Sequence, residues 1–322
     1  MLKRVAIFLL QLLVSIAGLW WVFHDPHKRA QIVGALRHCN NVWLAIGFGS
    51  YGLVELLATI RWQRLLRIQN ITLRWLQTFS IVMIGLFFNL FLPGLIGGDV
   101  IRLYFSVKLL PQRKVCVALS IVMDRLLGLC SIVLLAAAAI GLRFHWLARS
   151  PQTLHITYIA LGLLGLGLVG ALALFYGVSF RFVRKLTEQI GFRESIKDAA
   201  KALKVYRSAP TAMSVLFLIT IASHLAYYLS YYCAVQSLQP QAAPIPTALS
   251  VLSIMPLVNT ITSVPISVGG LGVRETLFQQ LLSNLAGVSS PVAAFGASLG
   301  FVIQASRAAA GAATYLLWRR KA

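Results

Sequence analysis

Acidic side chains are scarce in this chain: 8 Asp and Glu stand among 322 residues, against 29 Lys and Arg. Charged residues of both signs make up 11%, where a soluble domain carries about a quarter. An ordinary soluble globular domain is thereby excluded, and a hydrophobic content of 58% places the chain in a bilayer. Cysteine is sparse too. Cys39, Cys116, Cys130 and Cys233 are far apart, mostly inside apolar segments, with no C-x-x-C and no metal-ligand spacing, which argues against a disulfide framework and a zinc site. Polar sequence outside the apolar runs is short, the longest stretch being about 179–210. No soluble catalytic domain is expected, any chemistry takes place in or beside the membrane, and no cofactor is expected.

The net charge of +21 would suit nucleic acid if it formed a continuous face. The basic residues instead fall in short clusters between apolar runs of about 20 residues, which is a topology signal. The lipid bilayer, and not nucleic acid, is the expected partner. The apolar run from Val5 to Phe23 is longer than the core of a signal peptide and has no convincing small-residue cleavage site after it, so it reads as an uncleaved first span.

Six segments read as transmembrane helices: 5–23, 42–60, 115–142, 153–176, 211–236 and 291–317. Two further apolar stretches, 76–112 and 245–286, are too long for one span. Each is interrupted by proline and paired glycines, Leu92-Pro93-Gly94-Leu95-Ile96-Gly97-Gly98-Asp99 in the first and Val264-Pro265-Ile266-Ser267-Val268-Gly269-Gly270-Leu271-Gly272 in the second. Both read as re-entrant hairpins, which return the chain to the side it came from. With that assignment 21 Lys and Arg fall on the inside and 5 on the outside, leaving Arg125, Arg274 and Arg307 in membrane segments. This bias predicts a multi-pass protein of the cytoplasmic (inner) membrane with both termini in the cytoplasm.

The predicted fold is therefore all-α integral membrane, six transmembrane helices plus two re-entrant hairpins in inverted repeats. Residues 1–322 form a single membrane domain, with 1–150 the first repeat and 151–322 the second. A shift of 172 residues maps Pro93, Gly97, Gly98 and Arg102 onto Pro265, Gly269, Gly270 and Arg274, a shared P-x3-G-G-x3-R. Residues 180–207 differ in kind: Phe182, Val183, Leu186, Ile190, Ile196, Ala200 and Leu203 recur at helical spacing among basic residues. They predict an amphipathic helix on the inner leaflet.

Four of the eight acids, Glu55, Asp99, Asp124 and Glu275, sit in membrane segments, and so do Arg102, Arg125, Arg274 and Arg307. At about 2.5–3.5 kcal/mol each at a helix centre, eight unpaired charges would cost on the order of 20 kcal/mol, more than a typical domain's net stability. They must pair or line water. Their sum is zero, which predicts a self-compensated polar centre. The hairpin glycines allow turns with exposed N–H groups, and a short helix beginning there presents its positive end with an arginine one turn later, a fit for phosphate. Asp99 and Glu275, one beside each arginine, are expected either to occupy the arginines when substrate is absent or to take up a proton as the substrate displaces them.

Several sharper-looking signals carry less. Gly165-Leu166-Gly167-Leu168-Val169-Gly170 has the dinucleotide spacing but lies inside an apolar span with no strand before it, so helix packing is the reading. Gly296 and Gly300 form a G-x-x-x-G expected to make a helix contact. His224 reads as a polar contact in an aromatic span, and His24-Asp25-Pro26-His27 as a turn.

Three blocks carry a family resemblance: Asn89-Leu90-Phe91-Leu92-Pro93-Gly94 with Gly97-Gly98-Asp99-Val100-Ile101-Arg102, then Asp124-Arg125-Leu126-Leu127-Gly128, then Pro265 with Gly269-Gly270-Leu271-Gly272-Val273-Arg274-Glu275. In order and spacing they resemble the flippase-like membrane domain of lysylphosphatidylglycerol synthases. The resemblance implies a lipid-translocating domain with re-entrant helices. Its matching positions are Asn89, Asp99, Arg102, Asp124, Arg125, Arg274 and Glu275. The chain ends at Ala322 without the soluble aminoacyl-transferase domain of the full-length synthases, so lysyl transfer is not expected. Stand-alone relatives are associated with polyprenyl-phosphate sugars, hopanoids or phospholipids.

The resulting expectation is a non-enzymatic lipid flippase whose substrate is an anionic phospholipid or a polyprenyl-phosphate-linked lipid. The substrate-binding set is Asn89, Asp99, Arg102, Asp124, Arg125, Gly269, Gly270, Arg274 and Glu275. The alternatives are an intramembrane lipid-modifying enzyme with Asp99 or Asp124 as base, and a non-transporting scaffold for a lipid-biosynthesis enzyme partner.

Overall fold

The computed structural model describes residues 13, 20, 37, 39–91, 97–177, 193–238, 246–264, 267 and 270–319. The expected first span apart from residues 13 and 20, the tip of the first hairpin and the segment 180–192 lie outside them. The described residues form the helices α1 (Asn41–Ile68), α2 (Trp75–Phe91), α3 (Gly97–Leu109), α4 (Lys114–Leu147), α5 (Pro151–Gly177), α6 (Arg193–Arg207), α7 (Pro210–Ser237), α8 (Ala248–Thr262), α9 (Val273–Ala286) and α10 (Ser290–Arg319). No strand occurs among the described residues.

Five helices, α1, α4, α5, α7 and α10, are long and apolar enough to cross a membrane. They coincide with five of the six expected spans. Leu142, Leu166, Val169, Leu218 and Leu316 stand exposed on them, an outer surface suited to lipid and not to water. The remaining apolar helices are short. At 17 and 13 residues α2 and α3 measure about 26 and 20 Å, less than a hydrocarbon core of about 30 Å.

Local chemistry sets the helix ends. Asn40 caps α1 by accepting the Val42 N–H at 2.9 Å. The other end of α1 is a Schellman turn: Ile71 N–H donates to the Leu66 carbonyl at 3.0 Å and Asn70 N–H to that of Arg67 at 2.9 Å. Asn70 supplies the left-handed residue this turn requires, with φ 56°. Leu66 and Ile71 pack in the same apolar cluster, so α1 runs eight residues past the expected boundary at 60 and turns back against itself.

Helices α1 and α7 form an antiparallel pair at the centre. Asn40 meets Ser237, Gly47 packs on Cys233, Ser50 donates to the Ala226 carbonyl at 2.7 Å and Tyr51 lies against Tyr227. The neighbours of this pair are reciprocal. α2 pairs with α3 and packs on α10, while α8 pairs with α9 and packs on α4; α1 touches α2, α4 and α10, and α7 touches α8, α10 and α4. In the first pair the chain doubles back tightly, because Gly98 faces Asn89 and Gly85 while Arg102 faces Gly85.

Small residues make these approaches possible. A Cβ on Gly98 would strike the Gly85 carbonyl, and one on Gly311 would strike the Met83 carbonyl of α2. Gly296 and Gly300 let α10 onto Val235 and Tyr231 of α7, so this G-x-x-x-G makes the expected contact. In α5, Gly167 meets Leu129 of α4, whereas Gly165 and Gly170 meet nothing within 4 Å among the described residues.

The described part of the amphipathic segment, α6, docks on protein. Tyr206 donates to the Leu65 carbonyl at 3.1 Å, and the Gln69 carboxamide donates to the Ala202 carbonyl at 2.6 Å. Leu203 and Tyr206 pack with Leu65, Met123, Leu127 and Leu216, whereas Ala200, expected on the apolar face, is exposed.

We predict opposite effects for two glycine substitutions. Gly98→Ala, although alanine favours helix, destabilises by about 1–3 kcal/mol through overpacking. Gly162→Ala on α5, where a Cβ meets nothing within 4 Å among the described residues, is neutral or stabilising by up to about 1 kcal/mol. Thermal unfolding in detergent measures both.

Candidate functional site

Asp99 and Arg102 sit three apart on α3, a spacing that puts them on one face, and they form an ion pair at 3.1 Å. Two residues of α4 and one of α1 complete the arrangement. Arg102 also reaches Asp124 at 3.1 Å, Arg61 donates to Asp124 at 2.6 Å, and Arg125 donates to Asp99 at 2.5 Å. The order is Arg125, Asp99, Arg102, Asp124, Arg61, alternating in sign with an arginine at each end. Among the described residues, three cations stand against two anions in this group, one positive charge in excess.

This chain of charges is largely removed from solvent. The side chains of Asp124, Asp99, Arg102 and Arg61 are 6 to 12% exposed, whereas that of Arg125 is 46% exposed. Arg102 is held from several sides. Its guanidinium lies 4.4 Å from the centre of the Trp62 ring, whose N–H donates to Ser120 at 3.1 Å. Its stem packs on Gly85, where a Cβ would come within 2.7 Å. Its Nε is buried and has no hydrogen-bond partner. Asn89 accepts the Gly98 N–H at 3.4 Å, so it braces the return of the chain into α3.

The second motif is built differently. Gly270 takes φ +80°, and a Cβ there would lie 3.0 Å from Arg274 and 3.2 Å from Thr262, so both conformation and space demand glycine. Arg274 is buried, 5.8 Å from the Tyr231 ring centre and 5.7 Å from that of Phe301. Its charge faces Tyr51, Tyr227, Tyr231 and Glu275. Glu275 is fully buried and accepts the Gly272 N–H at 2.7 Å, capping its own helix α9. The expectation that each acid pairs with the arginine beside it thus describes Asp99, while Glu275 turns to the helix terminus. Gly269 lies outside the described residues.

Glu55 and Arg307 form a third group joining α1 to α10. Arg307 Nε donates to Glu55 at 2.9 Å and a second guanidinium nitrogen reaches the same oxygen. Gly52 leaves the room for it, and the other Glu55 oxygen is buried without a hydrogen-bond partner. Tyr51, one turn before Glu55, feels the charges of Glu55, Arg307 and Arg274 and so connects this pair with the second motif. The expected single centre is therefore three groups arranged along α1.

Sequence reasoning missed Arg61. It was counted with the cytoplasmic charges because the span was drawn to end at residue 60. The continuing apolar spacing of Trp62, Leu65 and Leu66, all fully buried, marks the helix as running on and carries Arg61 to Asp124. Trp62, Tyr51 and Tyr231 were also missed. Among the described residues no three metal-ligating side chains converge.

Breaking the chain of charges at its middle and at its end is predicted to have unequal costs. Asp124→Asn takes from buried Arg61 the acid it pairs with, leaves Arg102 to Asp99, and costs about 3–5 kcal/mol. Arg125→Gln, at the half-exposed end, costs about 1 kcal/mol or less. Denaturant unfolding in detergent distinguishes them, and the double substitution Asp124→Asn with Arg61→Gln recovers part of the loss.

Comparison with known proteins agrees with the three motif blocks. The family model described as the lysylphosphatidylglycerol synthase TM region matches residues 8–311, nearly the whole chain. No curated protein matches the chain. The chain is a multi-pass membrane protein that belongs to the lysylphosphatidylglycerol synthase TM-region family.

Proposed function

We propose that this protein translocates a lipid with an anionic headgroup between leaflets, an anionic phospholipid or a polyprenyl-phosphate-linked lipid. The observation that carries the reading is the odd count in the buried chain of charges. Two acids neutralise two of its three arginines, and the remaining positive charge has the sign and the charge-assisted donors that a phosphate takes. Arg125, the exposed end, meets the headgroup first; Asp99 then releases Arg125 and keeps Arg102 as the phosphate enters. Arg274, buried among tyrosine hydroxyls, serves as the counterpart on the other repeat. The acyl or prenyl tail stays in lipid along the apolar outer surface.

The reciprocal neighbours of α1 and α7, and of the α2–α3 and α8–α9 pairs, support an inverted repeat. On that reading both helix pairs are re-entrant hairpins, and alternate tilting of the halves exposes the headgroup to either side. With Arg61 and Arg102 set aside as members of the buried cluster, 19 inner against 5 outer basic residues support the cytoplasmic membrane with both termini inside. In this family the membrane region is separate from the catalytic part of the synthases, which favours transport over lipid modification.

The test is translocation of labelled phosphatidylglycerol, phosphatidic acid, polyprenyl phosphate and phosphatidylcholine in proteoliposomes, with and without a pH gradient. Wild type is expected to move one or more anionic lipids about tenfold faster than phosphatidylcholine. Folded Arg102→Ala and Arg274→Ala proteins are expected to fall to the rate of protein-free liposomes. Equal rates in wild type and both variants contradict the reading. Chemical alteration of a lipid without movement favours an enzyme, and neither event across the panel favours a scaffold.

A further inference from the structure

A ligand-sized cleft among the described residues lies away from the buried charges. It has a volume of about 470 Å³ and opens between the Schellman turn of α1, the 3-10 turn Pro111–Arg113 with the start of α4, and the flank of α6. That volume is in the range of small-molecule sites, about 300–1,000 Å³. Cys116 in its wall is eight residues before Asp124, about 12 Å along α4, so the cleft is separate from the chain of charges.

Its walls carry a definite chemistry. Arg113, Lys114 and Lys201 supply three cations and Asp198 one anion, a local excess of two positive charges. Asp198 and Lys201 stand 4.0 Å apart with side chains 57% and 80% exposed, a weak pair that leaves the Lys201 ammonium able to turn to a stronger anion. Asn70 adds a carboxamide that both donates and accepts, a match for hydroxyl groups. The backbone beneath it is pinned by the Schellman turn, and the α6 wall is pinned by Gln69 on Ala202 and Tyr206 on Leu65. The cleft is thus cation-rich, and two of its three walls, the α1 turn and α6, are tied to each other.

We propose that this cleft binds a phosphate ester carrying neighbouring hydroxyl groups, of the glycerol phosphate type. Arg113, Lys114 and Lys201 hold the phosphate and Asn70 meets a hydroxyl. The same chemistry arrives in two forms, as the headgroup of a lipid in the adjacent leaflet or as a free soluble ester. The proposal does not rest on translocation.

Cys116 is partly exposed in the cleft and reports its occupancy. The full chain, with Cys39, Cys130 and Cys233 replaced by serine, is placed in phosphatidylcholine nanodiscs and its modification by a maleimide is timed. Val205→Cys in a chain lacking the other cysteines gives a second reporter on the α6 wall. Occupancy is expected to slow both reporters at least about fivefold, either on adding millimolar glycerol phosphate or on changing the nanodisc lipid to phosphatidylglycerol. The first result identifies a soluble ligand and the second a lipid headgroup. Arg113→Gln with Lys114→Gln and Lys201→Gln, all surface changes, should abolish the protection. Rates unchanged in both arms, or protection that persists in the triple variant, overturn the proposal.

Discussion

Asp124 between Arg61 and Arg102 is the interaction on which the rest of the structure depends. A carboxylate at 6% exposure cannot stay charged in an apolar bundle without close cations, and the two nearest come from different helices. α1, α3 and α4 are therefore bound to one geometry. Arg102 is committed further by Asp99 on its own helix and by the Trp62 ring behind it. The consequence is that, among the described residues, five charges joined in alternation leave one positive charge over. A soluble protein would lose that charge to water, whereas here it is retained beneath helices whose outer faces are leucine and valine.

Helix α1 is the common support. Tyr51, Glu55, Arg61 and Trp62 lie along about 17 Å of it, and between them they touch the second motif, the Arg307 pair and the chain of charges. Its antiparallel packing on α7 is tight because Gly47 and Ser50 present little bulk there. Movement of either helix would alter all three groups together. The two helix pairs that carry Arg102 and Arg274 pack against α10 and α4 respectively, and the proposed alternating transport would need such a coupling.

Much of this was legible before any coordinates. Apolar runs with charged ends located five long helices to within a few residues, except where α1 continues beyond its apolar stretch as an amphipathic turn with Trp62 and Leu66 inside and Arg64 outside. That one boundary hid Arg61, and with it the odd count of charges. The Asp99–Arg102 pair could be read from a spacing of three. The partners of Asp124 could not, because they are 22 and 63 residues away and are brought together by packing alone. Glu275 as a cap was readable as a glutamate three residues after Gly272 at a helix start, but its nearness to Arg274 drew attention to charge instead. The apolar face of α6 carries no mark that distinguishes lipid from protein, and only its contacts with Leu65 and Gln69 decide that.

The central claim is that the surplus positive charge of this buried cluster selects anionic lipid. Arg61→Gln tests it most directly, because it brings the cluster to neutrality while leaving Arg102 between its two acids. Native mass spectrometry of the purified protein, offered phosphatidylglycerol and phosphatidylcholine in equal amounts, measures the selection. Wild type should retain phosphatidylglycerol in about tenfold preference, equivalent to about 1.4 kcal/mol, and Arg61→Gln should bring the two lipids close to parity. Equal retention by wild type, or an undiminished preference in Arg61→Gln, would contradict the account.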